Sequence, residues 1–250
     1  NLLATFLRES SADFSTIDGV WLAVGKAVGK AESLEVLLAK YAPAAPPLMG
    51  AQPDDPYILT MTSGSTGDPK PIILTQRTKL NRAAAAIEMY AVTSADRTLA
   101  ATPLYHSLAE RLVLIPLLTG GTSVLMSRFS PSEWLRVVAE QAVSFTIAVS
   151  SQLNLLAALL VGARVPDFES LRCVVSSSAL LEARIKEDLA AKLHCEFHEC
   201  YGASEIAIAS NLNAAGARRK LKSVGIAAAG VEIRILGEDD RPVAMGEPGE

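Results

Sequence analysis

The chain has 250 residues, with 23 Lys+Arg against 27 Asp+Glu and a net charge of −4. Half of the residues are hydrophobic and 20% are charged, which excludes a mostly disordered chain and provides for a real core. The mild acidity argues against a general nucleic-acid binder, and three cysteines argue against a disulfide-stapled scaffold. These features point to a soluble protein of a reducing compartment, the cytoplasm. No basic segment followed by an apolar run opens the chain, so no secretory signal is expected.

The N-terminal forty residues carry two apolar faces, Leu2, Leu3, Phe6 and Leu7, then Leu34, Leu37, Leu38 and Tyr41 at helical spacing. Five of the 13 prolines then fall between Pro43 and Pro56, which predicts a linker. Beyond it, strands are predicted over 57–62, 72–74, 98–102, 123–126, 143–149 and 171–175, with helical patterns between several of them. Thr75 could cap a helix running to Val92. Ser130-Pro131-Ser132-Glu133 has capping-box spacing, and Leu181, Ile185, Leu189 and Leu193 mark an amphipathic helix. Residues 141–163 hold no charge and are long enough to span a bilayer. Ser150, Ser151, Gln152 and Asn154 at their centre fit a buried strand and core helix instead. Alternation of largely apolar strands with helices implies an α/β fold, a mainly parallel sheet flanked by helices. After Ile206 the pattern changes, and the period of two over Val231-Glu232-Ile233-Arg234-Ile235 suggests the start of a β-rich subdomain.

The richest motif is Thr62-Ser63-Gly64-Ser65-Thr66-Gly67-Asp68-Pro69-Lys70. Glycines let backbone amides converge on an anion, hydroxyls add donors and the lysine adds charge, so a polyphosphate is its natural guest. It is not a Walker loop, because the glycine spacing differs and Pro71 stands where a magnesium-holding hydroxyl would follow. Composition alone leaves a polar surface loop open. Gly202-Ala203-Ser204 begins like the nucleophile elbow of a serine hydrolase, but Ile206 stands where that elbow needs a small glycine. His194, Cys195, His198 and Cys200 could suggest a metal. On a strand, though, His194 and His198 would stand about 13 Å apart, too far for one zinc ion. Arg218, Arg219, Lys220 and Lys222 read as a solvated loop.

The full loop string resembles the signature phosphate loop of the adenylate-forming superfamily, which includes acyl- and aryl-CoA synthetases. Further elements follow in that family's order. Pro103-Leu104-Tyr105-His106 resembles its Pro-x-x-His element, and Ser176-Ser177-Ser178-Ala179 its small-residue turn facing adenine. Tyr201-Gly202-Ala203-Ser204-Glu205 is similar to its Tyr-Gly-x-Thr-Glu motif. Ser223-Val224-Gly225, Gly230-Val231-Glu232-Ile233 and the segment from Gly246 to Glu250 resemble the entry to its barrel-like subdomain.

The resemblance implies that Ser63, Ser65, Thr66 and Lys70, within a loop also holding Thr62, Gly64 and Gly67, grip the ATP phosphates. It places Ser177, Ser178, Ala179, Tyr201 and Gly202 at the nucleotide, Ser204 at the α-phosphate and His106 beside the acyl pocket. Thr66 and Glu205 would hold Mg²⁺. The implied reaction joins a carboxylic acid to AMP and passes the acyl group to coenzyme A or a phosphopantetheinyl carrier. A nucleotide-binding remnant without catalysis is the alternative. By the same resemblance residues 1–56 form a partial first subdomain and linker, 57–205 the core and 206–250 the start of the β-rich part. The C-terminal domain with its catalytic lysine would lie beyond Glu250, making the chain a core fragment. No carboxylate follows His106 closely enough to pair with an α-ammonium, since Glu110 would face elsewhere on a helix from Ser107, so a fatty acid, or failing that an aryl acid, is expected as substrate.

Overall fold

The computed structural model describes residues 22–23, 31–40, 50–62, 70–161 and 168–250. The chain divides into two compact units, Asn1–Gly50 and Ala51–Glu250. In the first, β1 (Leu22–Ala23) pairs in parallel with β2 (Glu32–Ser33), which leads into α1 (Leu34–Lys40). The expected helix over Leu34, Leu37 and Leu38 is present, but none of its residues is buried. Tyr41 and the apolar face from Leu2 to Leu7 lie outside the described residues.

The second unit opens with an antiparallel hairpin, β3 (Pro56–Thr62) and β4 (Lys70–Thr75), which forms a sheet of its own. Thr75 caps α2 (Gln76–Met89) as expected, its hydroxyl accepting from the Thr78 amide at 3.3 Å. The helix stops short of Val92 because Ala91 turns to a φ of 48°. There follow β5 (Arg97–Ala100), α3 (Ser107–Thr119), β6 (Thr122–Leu125), α4 (Pro131–Glu140), β7 (Phe145–Val149) and α5 (Ser150–Leu159). The remaining elements are β8 (Cys173–Ser177), α6 (Ala183–Leu193), β9 (Glu196–Ala203), β10 (Ala207–Leu212), α7 (Ala214–Lys220) and β11 (Ile226–Ala227). Residues 141–163 thus give strand β7 and helix α5, and no described helix is long and apolar enough to cross a membrane.

The main sheet has seven strands in the order β11-β10-β9-β8-β7-β5-β6. β6, β5, β7, β8 and β9 run parallel, while β10 and β11 are antiparallel additions. Successive strand residues point to opposite faces, so each strand feeds two cores. Leu99, Ala148 and Val174 pack with Trp134 of α4, Leu153 and Leu156 of α5 and Leu189 of α6. Ala100, Phe145, Ile147 and Val175 pack on the other face, with Ala83 and Ala86 of α2 and Leu112 and Ile115 of α3. Helices on both faces of a parallel sheet are what the apolar runs implied.

Pro116 inside α3 removes one helical hydrogen bond, the one Leu112 carbonyl would have accepted. The buried Thr98 hydroxyl of β5 donates to that carbonyl at 2.7 Å instead, so the break costs the core no unpaired acceptor.

Two expectations are corrected. The alternation over Val231 to Ile235 forms no strand; only a Leu236–Pro242 bridge and a few backbone bonds hold the 235–250 turn, because no neighbouring strand among the described residues offers a ladder. Arg218, Arg219 and Lys220 lie on α7 rather than in a loop, since Asn213 caps a helix there by accepting from the Gly216 amide at 2.8 Å. Their exposure at the helix C-terminus suits the helix dipole.

The starts of three parallel strands are tied by one carboxylate. Asp96 accepts from Ser144 Oγ at 2.6 Å, from Arg172 Nε at 2.8 Å and from the Thr93 amide at 2.8 Å. Burial raises the Asp96 carboxyl, but the guanidinium, the hydroxyl and the amide outweigh it and bring it down to about 2. A depressed carboxyl contributes stability above its unfolded value near 4, and loses it as pH falls through about 2. Asp96→Asn should therefore cost about 2–3 kcal/mol at neutral pH, with Arg172 partly exposed and so partly screened. Urea midpoints at several pH values check this: the gap between wild type and variant should shrink between about pH 4 and pH 2, and a constant gap would refute the assignment.

Candidate active site

In an open parallel sheet, ligands bind at the carboxyl ends of strands where successive connections leave in opposite directions. Here β5 leads outward to β6, whereas β7, its other neighbour, leads to β8. A cavity of about 680 Å³ lies there. Thr102 and Pro103 after β5, Val149 at the end of β7 with Ser151 and Gln152 beyond it, Ser177 at the end of β8 with Ser178 beyond it, and Gly202 of β9 all line it. The fold therefore puts the cavity at its own switch point.

Several predicted site residues converge on this cavity. His106 lies on its wall as the N-cap of α3, and its ring makes no capping bond, so it is free to face the cavity. The ring instead leans on Tyr105, with centroids 4.5 Å apart. Ser177, Ser178, Gly202 and Ser204 line the same space. Ser178 has a φ of 78°, a turn that ends β8. The turn is secured from α5, where Ser150 Oγ donates to the Ala179 carbonyl. Ala179 itself and Tyr201, which is 57% exposed, do not line the cavity. Glu205 lies on an adjoining cavity of about 560 Å³ that shares Arg82, Arg111, Ala207 and Ile208 with the first. Thr62 and Lys70 pair in register at the ends of β3 and β4. Ser63, Gly64, Ser65, Thr66 and Gly67 fall outside the described residues, and nothing is assigned to their positions.

The motif around Ser204 has a backbone reason. β9 and β10 form an antiparallel hairpin whose turn is residues 204–206. A side-chain carbon on Gly202 would stand 1.8 Å from the Ala207 carbonyl oxygen, so only glycine fits. The turn is strand–turn–strand, not the strand-to-helix elbow of a serine hydrolase, which removes that reading of Ser204. Similarly, Gly225 has a φ of 88° and would clash with the Asn211 carbonyl 1.9 Å away.

The wall carries positive charge that the motifs did not foretell. Among the described residues, no Asp or Glu lines the first cavity, whereas Arg82 and Arg111 both do. Burial lowers both guanidiniums; for Arg82 the neighbouring Arg111 lowers it further and Glu205 opposes. Arg82 also donates to the Glu205 carbonyl at 3.0 Å. Thr102 Oγ1 is buried without a hydrogen-bond partner and belongs to the same wall, as does Gln152, whose amide nitrogen reaches the Ala101 carbonyl at 3.0 Å. Arg111 stands four residues after Ser107 and on its face of the helix, but Glu110 beside it masks any charge signal in the sequence.

The family model for AMP-binding enzymes matches residues 9–250. The chain belongs to this adenylate-forming family. It is 29% identical to an indoleacetate–CoA ligase of Aromatoleum aromaticum, covering 87% of this chain and 43% of that protein. It is 32% identical to a sulfoacetate–CoA ligase of Cupriavidus necator, covering 88% of this chain and 43% of that one. Among solved structures, o-succinylbenzoate coenzyme A synthetase of Bacillus subtilis in complex with AMP superposes with a TM-score of 0.76 at 26% identity, over 88% of this chain and 56% of that one. The N-terminal domain of FACL13 from Mycobacterium tuberculosis gives 0.74 at 25% identity, over 82% of this chain and 51% of that domain. The chain spans less than half the length of these two ligases.

Of the His194, Cys195, His198 and Cys200 group, Cys200 lines the cavity as a buried thiol that burial raises, and the other three do not line it. Burial pushes the Cys173 and Cys195 thiols up to about 12, which leaves both inert as nucleophiles. His198 instead takes a hydrogen bond with Asn211 at 3.2 Å, inside the β9–β10 hairpin.

Gly202→Ala tests the hairpin geometry. The added carbon forces β9 and β10 apart and should lower stability by about 2 kcal/mol or more. A urea midpoint equal to wild type would show that the hairpin has room and that Gly202 is not required by the backbone.

Proposed function

We propose that this chain forms the nucleotide- and acid-binding core of an enzyme that activates a carboxylic acid with ATP and delivers it to a thiol. One observation carries the reading: segments from after β5, β8 and β9, far apart in sequence, meet in one cavity at the sheet's switch point. A carboxylate oxygen attacks the α-phosphorus, the bond to the β-phosphate bridge breaks, and pyrophosphate leaves with that electron pair. A thiolate of coenzyme A, or of a carrier's phosphopantetheine, then attacks the acyl carbon and AMP departs.

In this reading Ser63, Ser65, Thr66 and Lys70 hold the β- and γ-phosphates. Ser204 donates to the α-phosphate from the hairpin turn, and His106 orients the acid from the head of α3. Ser177, Ser178, Ala179, Tyr201 and Gly202 frame the nucleotide base and ribose. Glu205, an exposed carboxylate beside the cavity pair, fits a Mg²⁺ ion shared with substrate phosphates, with Thr66 as a second oxygen donor. The ion would neutralise phosphate charge. Positioning and charge neutralisation carry most of such chemistry. The division at residues 56 and 205, with closing parts supplied from beyond the core, belongs to the same proposal. Three unpaired cysteines support a cytoplasmic setting.

The fatty-acid expectation rested on the lack of a carboxylate close after His106, which leaves apolar contact to bind the acid. The cavity wall is instead mixed, with two arginines and several hydroxyls, so its lining does not favour a plain alkyl chain. The absence of a lining carboxylate among the described residues still supports an acid without an α-ammonium.

Acid-dependent ATP–pyrophosphate exchange by the full-length protein is the test. Lys70→Ala and Thr66→Ala should each depress exchange tenfold or more, about 1.4 kcal/mol at least. Unchanged exchange in both would remove the loop from the mechanism.

A further inference from the structure

Arg111 lines the cavity without a carboxylate partner among the described residues. It is half-buried on α3, and among the described residues no ion pair or hydrogen bond engages its guanidinium. The groups acting on it are Cys200 and Tyr90, both buried and neutral at pH 7, and the like charge of Arg82. A guanidinium facing low-dielectric walls is stable only while water or an anion fills the space before it. The same cavity is also lined by Thr102, whose buried Oγ1 has no partner. Two unsatisfied donors on one wall are the mark of an absent acceptor.

The position of Arg111 along α3 says which acceptor. His106 heads the helix, and Ser107, Leu108 and Arg111 continue the cavity-facing stripe. With a rise of 1.5 Å per residue, Arg111 lies about 7.5 Å further along the axis than His106. The helix runs back over the sheet from its carboxyl edge, so this displacement leads inward, toward buried Tyr90 and Cys200, while the long side chain also lines the adjoining cavity that Glu205 lines. The phosphates belong at the turn and the reacting carboxylate at His106, so the inner end receives the acid's tail.

We propose that Arg111, assisted by Thr102, binds a second anionic group at the far end of the substrate, so that the acid is a dicarboxylate or a sulfonated acid rather than a fatty one. This rests on the acid-activating reading above and deepens it. A bidentate guanidinium–carboxylate pair fits the planar fork of arginine, and Thr102 supplies one further donor. Arg82, which already donates to the Glu205 carbonyl, adds positive potential from α2 without being the main partner.

The test is titration calorimetry of the full chain with length-matched pairs: glutarate against valerate, adipate against hexanoate, pimelate against heptanoate, and with pyrophosphate as the phosphate probe. At least one diacid should bind tenfold or more tightly than its matched monoacid. Arg111→Gln should bring that ratio below threefold, Arg111→Lys should restore part of it, and Thr102→Val should reduce it less than Arg111→Gln does. Pyrophosphate affinity should stay within threefold in all variants. Monoacids binding as well as diacids in the wild type, or no binding of either, overturns the proposal without any variant having to fold. So does a diacid preference that survives Arg111→Gln, or a loss of pyrophosphate affinity equal to the loss for diacid, which would make Arg111 a phosphate ligand. Failure of the acid-activating reading is seen separately, as a diacid preference that persists with no pyrophosphate exchange for any acid.

Discussion

The carboxylate of Asp96 sets the geometry on which the site depends. It stands just before β5 and binds Ser144 just before β7 and Arg172 just before β8. The same guanidinium donates to the Tyr90 carbonyl at 3.0 Å and the Ala91 carbonyl at 3.2 Å, where α2 has ended. Three adjacent parallel strands and one helix are thereby fixed at the amino edge of the sheet. Since strand rise is nearly constant, fixing the starts also fixes where the strands end. The cavity at the carboxyl edge is built from those ends.

Rigidity at one edge leaves the other edge free to be irregular, and the irregularities are where function concentrates. Ser178 and Ala207 hold positive φ values beside the cavity. A register shift between Ile208 and Ser210 bends β10 against β9 near the Ser204 turn. Such features cost free energy and persist only when packing over-determines them. Here the packing is the pair of cores on either face of the sheet, whose large side chains Trp134, Phe145, Leu112 and Ile147 are almost fully buried.

Much of this was legible in the sequence because single physical signals produced it. The apolar runs over 143–149 and 171–175 became the central strands Phe145–Val149 and Cys173–Ser177, and Ser130 capped α4 through the Glu133 amide as its spacing required. The segment from Val231 to Ile235 shows the limit: alternation describes which residues a strand would bury, but a strand forms only where a partner ladder exists. The charge of the cavity wall was illegible for a different reason. Arg82 and Arg111 lie on separate helices, and only the packing of α2 beside α3 brings them to one space. The motifs identified residues that recur in order, whereas the arginines belong to no motif.

The charged groups inside the second unit follow one rule, and its exception falls at the cavity. Lys79 of α2 meets Glu110 of α3 at 2.5 Å, with both side chains largely buried. That pair turns Glu110 away from the cavity and explains why a carboxylate so near His106 does not line it. Lys186 of α6 pairs with Glu199 of β9, and each side chain takes a further backbone bond, to the Leu221 carbonyl and from the Leu181 amide. Asp96 has Arg172. Buried pairs of this kind add little net stability, but removing one partner is expensive because the other remains desolvated. The fold therefore holds opposite charges together wherever packing is dry. Among the described residues it leaves Arg82 and Arg111 without a carboxylate where both line the cavity, so the positive charge there is directed at the cavity rather than neutralised within the fold.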